Sequence, residues 1–548
     1  MAQLSGTPVL ILREGSERSR GKDAQSSNIT AAKVIAESIR SSLGPKGLDK
    51  MLVDSFGDVT ITNDGATILK EMDVQHPAAK MLVEVAKTQD DEVGDGTTTA
   101  VILAGELLKN AEELLREKIH PTVIVEGYRK ATEKALEVLD MIADDIGVDN
   151  RDIQKKAAMT AMASKVVGGS SAFLADIAVE AINMIKEQKD GAWIADLENI
   201  SIQKKQGESV EGSRLISGLI IDKEIVHSGM PKTIRDARIA LLETALEIEK
   251  TEIDAKISIT QVNQMQQFLS NEEGMLRKMA NSIKDSGANL VLCQKGIDDM
   301  VQHFLSKAGI AAVRRIKKSD MEKLAKATGA KIVTNLATLT ESDLGTAGLV
   351  EERSIGKDQM VFVEECSNPK AISILLRGGT QMLVDEADRA LHDALCNVRN
   401  LINEPKAVVG GGASEIEVAK EIRAFAETIS GREQLAVQAF AKSIEVIPRT
   451  LAENAGLDPI DILVALRSKH GAGLKNVGID VMDGKVGDMS EKDIWEPVMV
   501  KKQAIKSASE ATQMILRIDD VISSGKGGAP GGPPGKGPGA GAGAGEED

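Results

Sequence analysis

The chain has 548 residues, 42% of them apolar but only 2% aromatic, and a formal charge of −16. An acidic balance argues against a nucleic-acid binder, which carries basic excess, and no stretch approaches the ~18 apolar residues of a membrane span. Three cysteines, Cys293, Cys366 and Cys396, give neither a disulfide framework nor a paired metal spacing. A reducing, cytoplasmic setting is therefore expected.

The length calls for roughly three or four domains. Their cores must be made of Ala, Val, Ile, Leu and Met. Residues 1–23 read as an extended arm with one strand at Val9–Leu12, too short for a secretory apolar region. From Asn28 to Leu43 the apolar residues Ile29, Ala32, Ile35, Ala36, Ile39 and Leu43 keep helical spacing. Gly44 and Pro45 stop that helix. Asp58–Thr62 alternates as a strand, and Asn63-Asp64-Gly65 is a turn by composition.

A charged helix, Pro77–Glu92, leads into Val93-Gly94-Asp95-Gly96-Thr97-Thr98-Thr99-Ala100, and an apolar helix, Thr97–Lys118, leads out. The rest of the chain is organised around this stretch. Gly94 and Gly96 permit a sharp bend and close approach to a ligand. The helix that follows offers free N–H groups and a positive dipole end, which suit a phosphate. Asp95 suits Mg²⁺, a hard cation that shares oxygen ligands with phosphates. Three consecutive threonines are poor helix material, which suggests that their hydroxyls are wanted for hydrogen bonds. A bare Gly-Asp-Gly is more often an ordinary helix start with Asp95 as its N-cap; the full GDGTTT is more specific.

Helices continue at Pro121–Asp145 and Asp152–Ala163. Ala163 to Gly169 is a break carrying Ser164 and Lys165, and such a lysine is usually solvated. Residues 190–236 read as strands, with a polar hairpin signal at Gln206-Gly207-Glu208. Ala237–Leu242, Ala288–Cys293, Ala311–Ile316 and Lys331–Thr334 then alternate with helices at Gly296–Lys307 and Ser319–Thr328. That βαβ rhythm predicts a small α/β domain with a parallel sheet. One excursion, residues 246–283, interrupts it with Met265, Phe268, Leu269, Met275 and Met279. It reads equally as a partner-binding arm or as a helical hairpin buried on its own domain.

After a strand at Ala371–Leu376 and a turn at 377–380, a helix from Val384 to Ile402 carries Asp385, Asp388 and Asp393; most such acids face solvent. Gly410-Gly411-Gly412 opens the next helix and suggests close backbone approach to a ligand. Residues 415–470 are helical, 476–500 are short strands around Trp495-Glu496-Pro497, and a last helix runs from Val500 to Ile522. The Gly/Pro/Ala tail from 525 is expected to be disordered. Helix-rich ends around an α/β middle predict a helical domain split by a long insertion. In such a fold Gly44, Asp95 and Gly411 can share one pocket.

Six stretches carry a likeness to a known family: LGPKGLDKM (43–51), TITNDGATIL (60–69), GDGTTTAVILAGELL (94–108), GGGASEIEVA (410–419), SGREQLAVQAFAKSIEVIPRTLAENAG (430–456) and LRIDDVI (516–522). Over essentially the whole chain up to about residue 525 the sequence resembles the group II chaperonins, among them the archaeal thermosome subunits. The resemblance implies a multidomain α and α/β fold. Its parts would be a mostly helical equatorial ATPase domain (1–148 and 404–523), an intermediate hinge domain (149–217 and 370–403) and an α/β apical domain (218–369). A helical lid protrusion would lie near 246–277, with a tail at 524–548.

By motif, Gly44 and Pro45 match the loop that meets ATP, and Asp95 matches the Mg²⁺ ligand. Gly96, Thr97, Thr98 and Thr99 match the phosphate contacts, Gly411 and Gly412 the adenosine side, and Glu496 the ribose position. Asp64 and Asp393 match the acids that orient the attacking water, and Ser164 with Lys165 a loop that senses the γ-phosphate. The family pattern further implies two stacked rings of eight or nine subunits, homomeric or with paralogous subunits, that enclose non-native proteins. It implies neither a nucleic-acid nor a membrane partner. Alternatives from the residues alone are a nucleotide-regulated scaffold or holdase with little turnover, and a small-molecule kinase using the glycine loops.

Overall fold

The computed structural model describes residues 17–165, 168–248, 262–366 and 370–523. Three large apolar clusters organise them. The first is helical and draws on both chain ends, from Ile29 to Leu139 and from Val408 to Leu516. At its centre lies the helix Thr97–Arg116, whose buried residues run through Ala100, Val101, Leu103, Ala104, Leu107, Leu108 and Ala111. A helix apolar on so many sides must be covered on most of them, and Gly21–Arg40, Glu433–Ile444 and Val498–Leu516 all pack against it. Tyr128, the single tyrosine, is buried there edge-on to Phe440, with ring centroids 5.5 Å apart. Its hydroxyl donates to the Leu107 carbonyl at 2.9 Å, as a buried phenol must.

The second cluster joins the helices Arg151–Met162 and Ser171–Ile185 to the strand Ile372–Gly378 and the helix Gln381–Asn403. The third, from Leu219 to Ala371, surrounds a seven-stranded sheet. Its path runs Ala311–Val313, Leu290–Cys293, Thr233–Leu242, Gly345–Ile355, Asp358–Glu364, Gly218–Ile221, with Ile332–Val333 also paired to Thr233–Leu242. The chain leaves the first cluster and returns to it at one place. Strand Lys406–Val409 pairs antiparallel with Asp144–Asp145 on one side and with Trp495–Pro497 on the other.

The parallel βαβ pairing expected for the middle of the chain is present between Thr233–Leu242, Leu290–Cys293, Ala311–Val313 and Ile332–Val333. The sheet is mixed rather than parallel, because Gly345–Ile355, Asp358–Glu364 and Gly218–Ile221 add antiparallel neighbours. The helix Ser171–Ile185 was likewise not anticipated.

Four local expectations are corrected. The first helix spans Gly21–Arg40, so Gly44 sits in the loop beyond it rather than at its end. Asn63-Asp64-Gly65 is a helix start rather than a turn: Asp64 is the N-cap of the helix Gly65–Glu71 and accepts from Thr67 N at 2.8 Å. The hairpin lies before it, where Val59–Thr62 pairs with Lys50–Val53. Gln206-Gly207-Glu208 does not join paired strands, since Ile200–Gln206 and Arg214–Ile216 flank the fully buried strand Ile372–Gly378. The last helix ends at Leu516, and Asp520–Ser523 is a strand paired with Glu17–Arg20.

The strand expected at 9–12, residues 249–261 of the excursion and the tail from 524 lie outside the described residues. The excursion's helix, Val262–Asp285, packs its C-terminal half through Leu276, Ala280 and Ile283. Nearer its start, Phe268, Leu269 and Met275 are exposed.

Candidate functional site

A cavity of about 620 Å³ opens between the first and second clusters, and every site residue named from the sequence lines it. One wall is built from two helix starts. Thr97–Arg116 begins after Gly96 (φ 75°) and Ala413–Glu427 after Gly412 (φ 80°), both left-handed, and among the described residues neither start has a side-chain cap. A Cβ on Gly96 would lie 2.9 Å from Val500, and one on Gly412 2.8 Å from Pro448, so both positions need glycine for conformation and for space. Uncapped first-turn N–H groups of Thr97, Thr98 and Thr99 and the positive dipole end suit an anion. Gly411 continues the second start, and Gly44 with Pro45 borders the cavity from the loop after the first helix.

Asp95 is not the helix N-cap, because Gly96 takes that place. Its Oδ1 accepts from Gly96 N at 2.6 Å and its Oδ2 from Asn397 Nδ2 at 2.6 Å. Burial raises its pKa, and those two hydrogen bonds offset the rise only in part. Asp64 uses Oδ2 for Thr67 N and Oγ1, at 2.8 and 2.7 Å, and accepts from Thr97 Oγ1 on Oδ1 at 3.1 Å. Burial pushes its pKa up, but the Lys165 ammonium and the threonine bonds prevail and hold it below the usual carboxylate value.

The second cluster supplies the facing wall. Lys165 is 7% exposed, and its Nζ lies 3.3 Å from Asp393 Oδ2. Neither group is solvated, contrary to the usual expectation for a lone lysine or a helix acid. Burial acts to neutralise Lys165, yet Asp393, Asp64 and Glu386 outweigh it and keep the ammonium charged. Asp393 is held well above the ordinary carboxylate pKa: burial dominates, Lys165 opposes, and Asp95 and Asp64 add to the rise. Asn63 Nδ2 donates to the Ser164 carbonyl, which ties the Ser164-Lys165 arm to the Asp64 side.

At the far end Lys501 bridges Glu415 and Glu496, at 2.7 Å to each. Burial raises Glu496, with Lys501 only partly compensating. At the mouth Lys156 pairs with Asp493 at 2.9 Å across the two clusters.

Asp64, Asp95 and Asp393 thus crowd a poorly solvated place in which the Lys165 ammonium acts on all three and Lys501 adds to it at Asp95. Among the described residues no three His, Cys, Asp or Glu side chains form a ready metal cage. What this donor set fits is a hard cation held by one carboxylate and completed by phosphate oxygens and water. Sequence reasoning missed Asn63, Lys501, Lys156 and Asn397 as members of the site. For Asn397 a signal existed: Asp393, Asn397 and Asn400 follow at i, i+4 and i+7, one polar stripe on a largely apolar helix. Among the described residues no helix is long and apolar enough to cross a membrane.

The chain belongs to the TCP-1/cpn60 chaperonin family, whose model matches residues 35–526. A chaperone role in protein folding and use of a nucleotide go with that membership. The chain is 58% identical to a thermosome subunit of Pyrococcus horikoshii over 526 residues, 96% of either chain. From Archaeoglobus fulgidus, a thermosome subunit beta is 58% identical over 540 residues, covering 97% of this chain and 99% of the relative. A thermosome subunit alpha of the same organism is 57% identical over 524 residues, 96% of either chain.

Proposed function

We propose that this chaperonin chain is an ATP hydrolase that encloses non-native proteins in a double-ring chamber and closes a built-in lid by ATP turnover. One observation carries the reading: two uncapped helix starts, three carboxylates and a buried lysine share one cavity. The first apolar cluster supports an equatorial ATPase domain, 1–148 with 404–523. The second supports an intermediate hinge, 149–217 with 370–403, and the third an apical client-binding domain, 218–369. The lid is assigned to 246–277.

The reaction is phosphoryl transfer to water, in which the protein's work is positioning and charge stabilisation. First-turn N–H groups and hydroxyls of Thr97, Thr98 and Thr99, with Gly96, receive the phosphates. Gly44 and Pro45 border them, Gly411 and Gly412 meet the adenosine side, and Glu496 takes the ribose. Asp95 would hold Mg²⁺, which when bound neutralises phosphate charge. Asp393, with its raised proton affinity, orients the attacking water and accepts its proton; Asp64 assists from a fixed orientation. Lys165 and Ser164 sit where the γ-phosphate is sensed. Because they belong to the second cluster and Asp95 to the first, loss of the γ-phosphate changes what joins the two, and that is the coupling to the lid.

Two measurements test the reading. Phosphate release from ATP should require Mg²⁺. Native light scattering should give about 930 kDa for two rings of eight 58.2 kDa chains, or about 1,050 kDa for two rings of nine. A stable monomer that still hydrolyses ATP would remove the chamber, and an assembly that binds ATP without releasing phosphate would remove the ATPase.

A further inference from the structure

The helix Gln381–Asn403 meets the loop Val93–Asp95 along one stripe of its surface. Asn400 Nδ2 donates to the Val93 carbonyl at 2.8 Å. The bare face of Gly94 lies flush on Cys396, where a Cβ would come within 2.1 Å of Sγ. Asn397 Nδ2 donates to Asp95 Oδ2 at 2.6 Å, and Asp393 stands one turn before Asn397. From the opposite side Gln89 Nε2 donates to the Asp95 carbonyl at 2.8 Å. Asn397 is 2% exposed, and its Oδ1 has no hydrogen-bond partner among the described residues. Leaving a buried amide oxygen unpaired is unfavourable. A leucine of similar size would avoid that penalty, so the amide's one bond, to Asp95, is what distinguishes asparagine here.

We propose that Asn397 is a positioning residue for Asp95. With Gly96 N on Oδ1 and Asn397 Nδ2 on Oδ2, both carboxylate oxygens are pinned and each keeps a further acceptor position. One helix then sets both the orientation of the cation-binding carboxylate and the place of Asp393. The inference rests on the nucleotide reading above. Partners of this kind, behind a metal-binding side chain, change metal affinity by about 10- to 100-fold when removed.

The test is calorimetric titration of the full-length protein with ADP, in EDTA and at stepped MgCl₂. For Asn397→Leu, metal-free ADP affinity should stay within about twofold, while the Mg²⁺ concentration for half-maximal enhancement rises about tenfold. Asn397→Ser, whose hydroxyl falls short of Oδ2, should give the same shift and serves if the leucine variant fails to assemble. An unshifted Mg²⁺ midpoint, or an equal loss with and without Mg²⁺, would overturn the proposal, the second by showing a merely structural role. If the unmodified protein shows no Mg²⁺-dependent ADP binding, the nucleotide reading fails and takes this inference with it. Mg²⁺-dependent binding with unshifted variants sinks the inference alone.

Discussion

Replacing Gly94 by alanine tests whether the loop before Thr97 is held as tightly as its surroundings indicate. Gly94 closes the helix Pro77–Val93 in the left-handed region, φ 71° and ψ 3°. A Cβ there would lie 2.1 Å from Cys396 Sγ and 2.4 Å from Cys396 Cβ, more than 1 Å inside the ~3.5–4.0 Å of an ordinary contact. Left-handed backbone costs a non-glycine residue about 1–2 kcal/mol, and overpacking of a buried contact about 1–3 kcal/mol. The free variant relaxes by moving the loop, and nucleotide binding must move it back. A total near ~3 kcal/mol therefore appears as a fall in ADP affinity of about 100-fold, at ~1.4 kcal/mol per decade. Adding Cys396→Gly removes both clashing atoms and leaves the backbone strain. The double variant should recover about tenfold over Gly94→Ala, read by the same calorimetry. Affinity within threefold of the unmodified protein for Gly94→Ala would show that the loop is not fixed by this contact. A double variant no better than the single would show that the clash is not the cause.

Three further outcomes are expected. Asp393→Ala should bind ATP but release phosphate at least ~100-fold more slowly, the scale of losing one acid–base group; near-normal turnover removes Asp393 from that role. Glu445 is 2% exposed and accepts from Arg467 Nε at 2.8 Å and from Arg423 at 2.6 Å. Burial opposes its ionisation, but the two guanidinium groups outweigh it and depress its pKa. Its stabilisation is therefore full above the ordinary glutamate value of about 4.5 and is lost as pH falls through the depressed value. Glu445→Gln should lower the thermal midpoint at pH 7 and converge on the unmodified protein in acid; a deficit constant from pH 7 to 3 would contradict the linkage. Finally, Phe268→Ser, Leu269→Ser and Met275→Ser together should leave Mg²⁺-dependent phosphate release intact while an ATP-treated assembly loses protease protection of a bound non-native protein. Retained protection would detach these exposed side chains from enclosure.

Local chemistry was legible in the sequence wherever a position constrains its own backbone. Gly96 and Gly412 announce left-handed turns at helix starts, and the helical spacing of the first third was followed closely by Pro77–Val93, Thr97–Arg116 and Pro121–Ile142. In the antiparallel half of the sheet Gly218–Ile221 fell within a stretch read as strand, but Gly345–Ile355 and Asp358–Glu364 were not legible. Gly345–Ile355 carries Glu351, Glu352 and Arg353, which break any clean alternation. In the fold those charges are satisfied sideways: Arg353 pairs with Glu364 at 2.7 Å and lies 4.8 Å from the Phe362 ring centroid. Cross-strand pairing of this kind exists only once the neighbouring strand is in place.

Asp393 and Lys165 show the same limit at the site. An acid on a long helix and a lysine in a glycine-flanked break are, by composition, solvated residues, and only the family likeness singled them out. Their burial is a consequence of chain reentry. Strand Lys406–Val409 is fixed between Asp144–Asp145 and Trp495–Pro497, which brings the end of the helix Gln381–Asn403 back to the point where the chain left the first cluster. From there Arg399 donates to the Glu92 carbonyl and Asn400 to the Val93 carbonyl, each at 2.8 Å, laying the helix along the loop that carries Asp95. Once that helix is so placed, Asp393 must face Asp64 and Asp95 across the cavity, and an unpaired third carboxylate there would be costly. Lys165 meets that demand from the second cluster. The charge that looks incidental in sequence is the one the assembled fold requires.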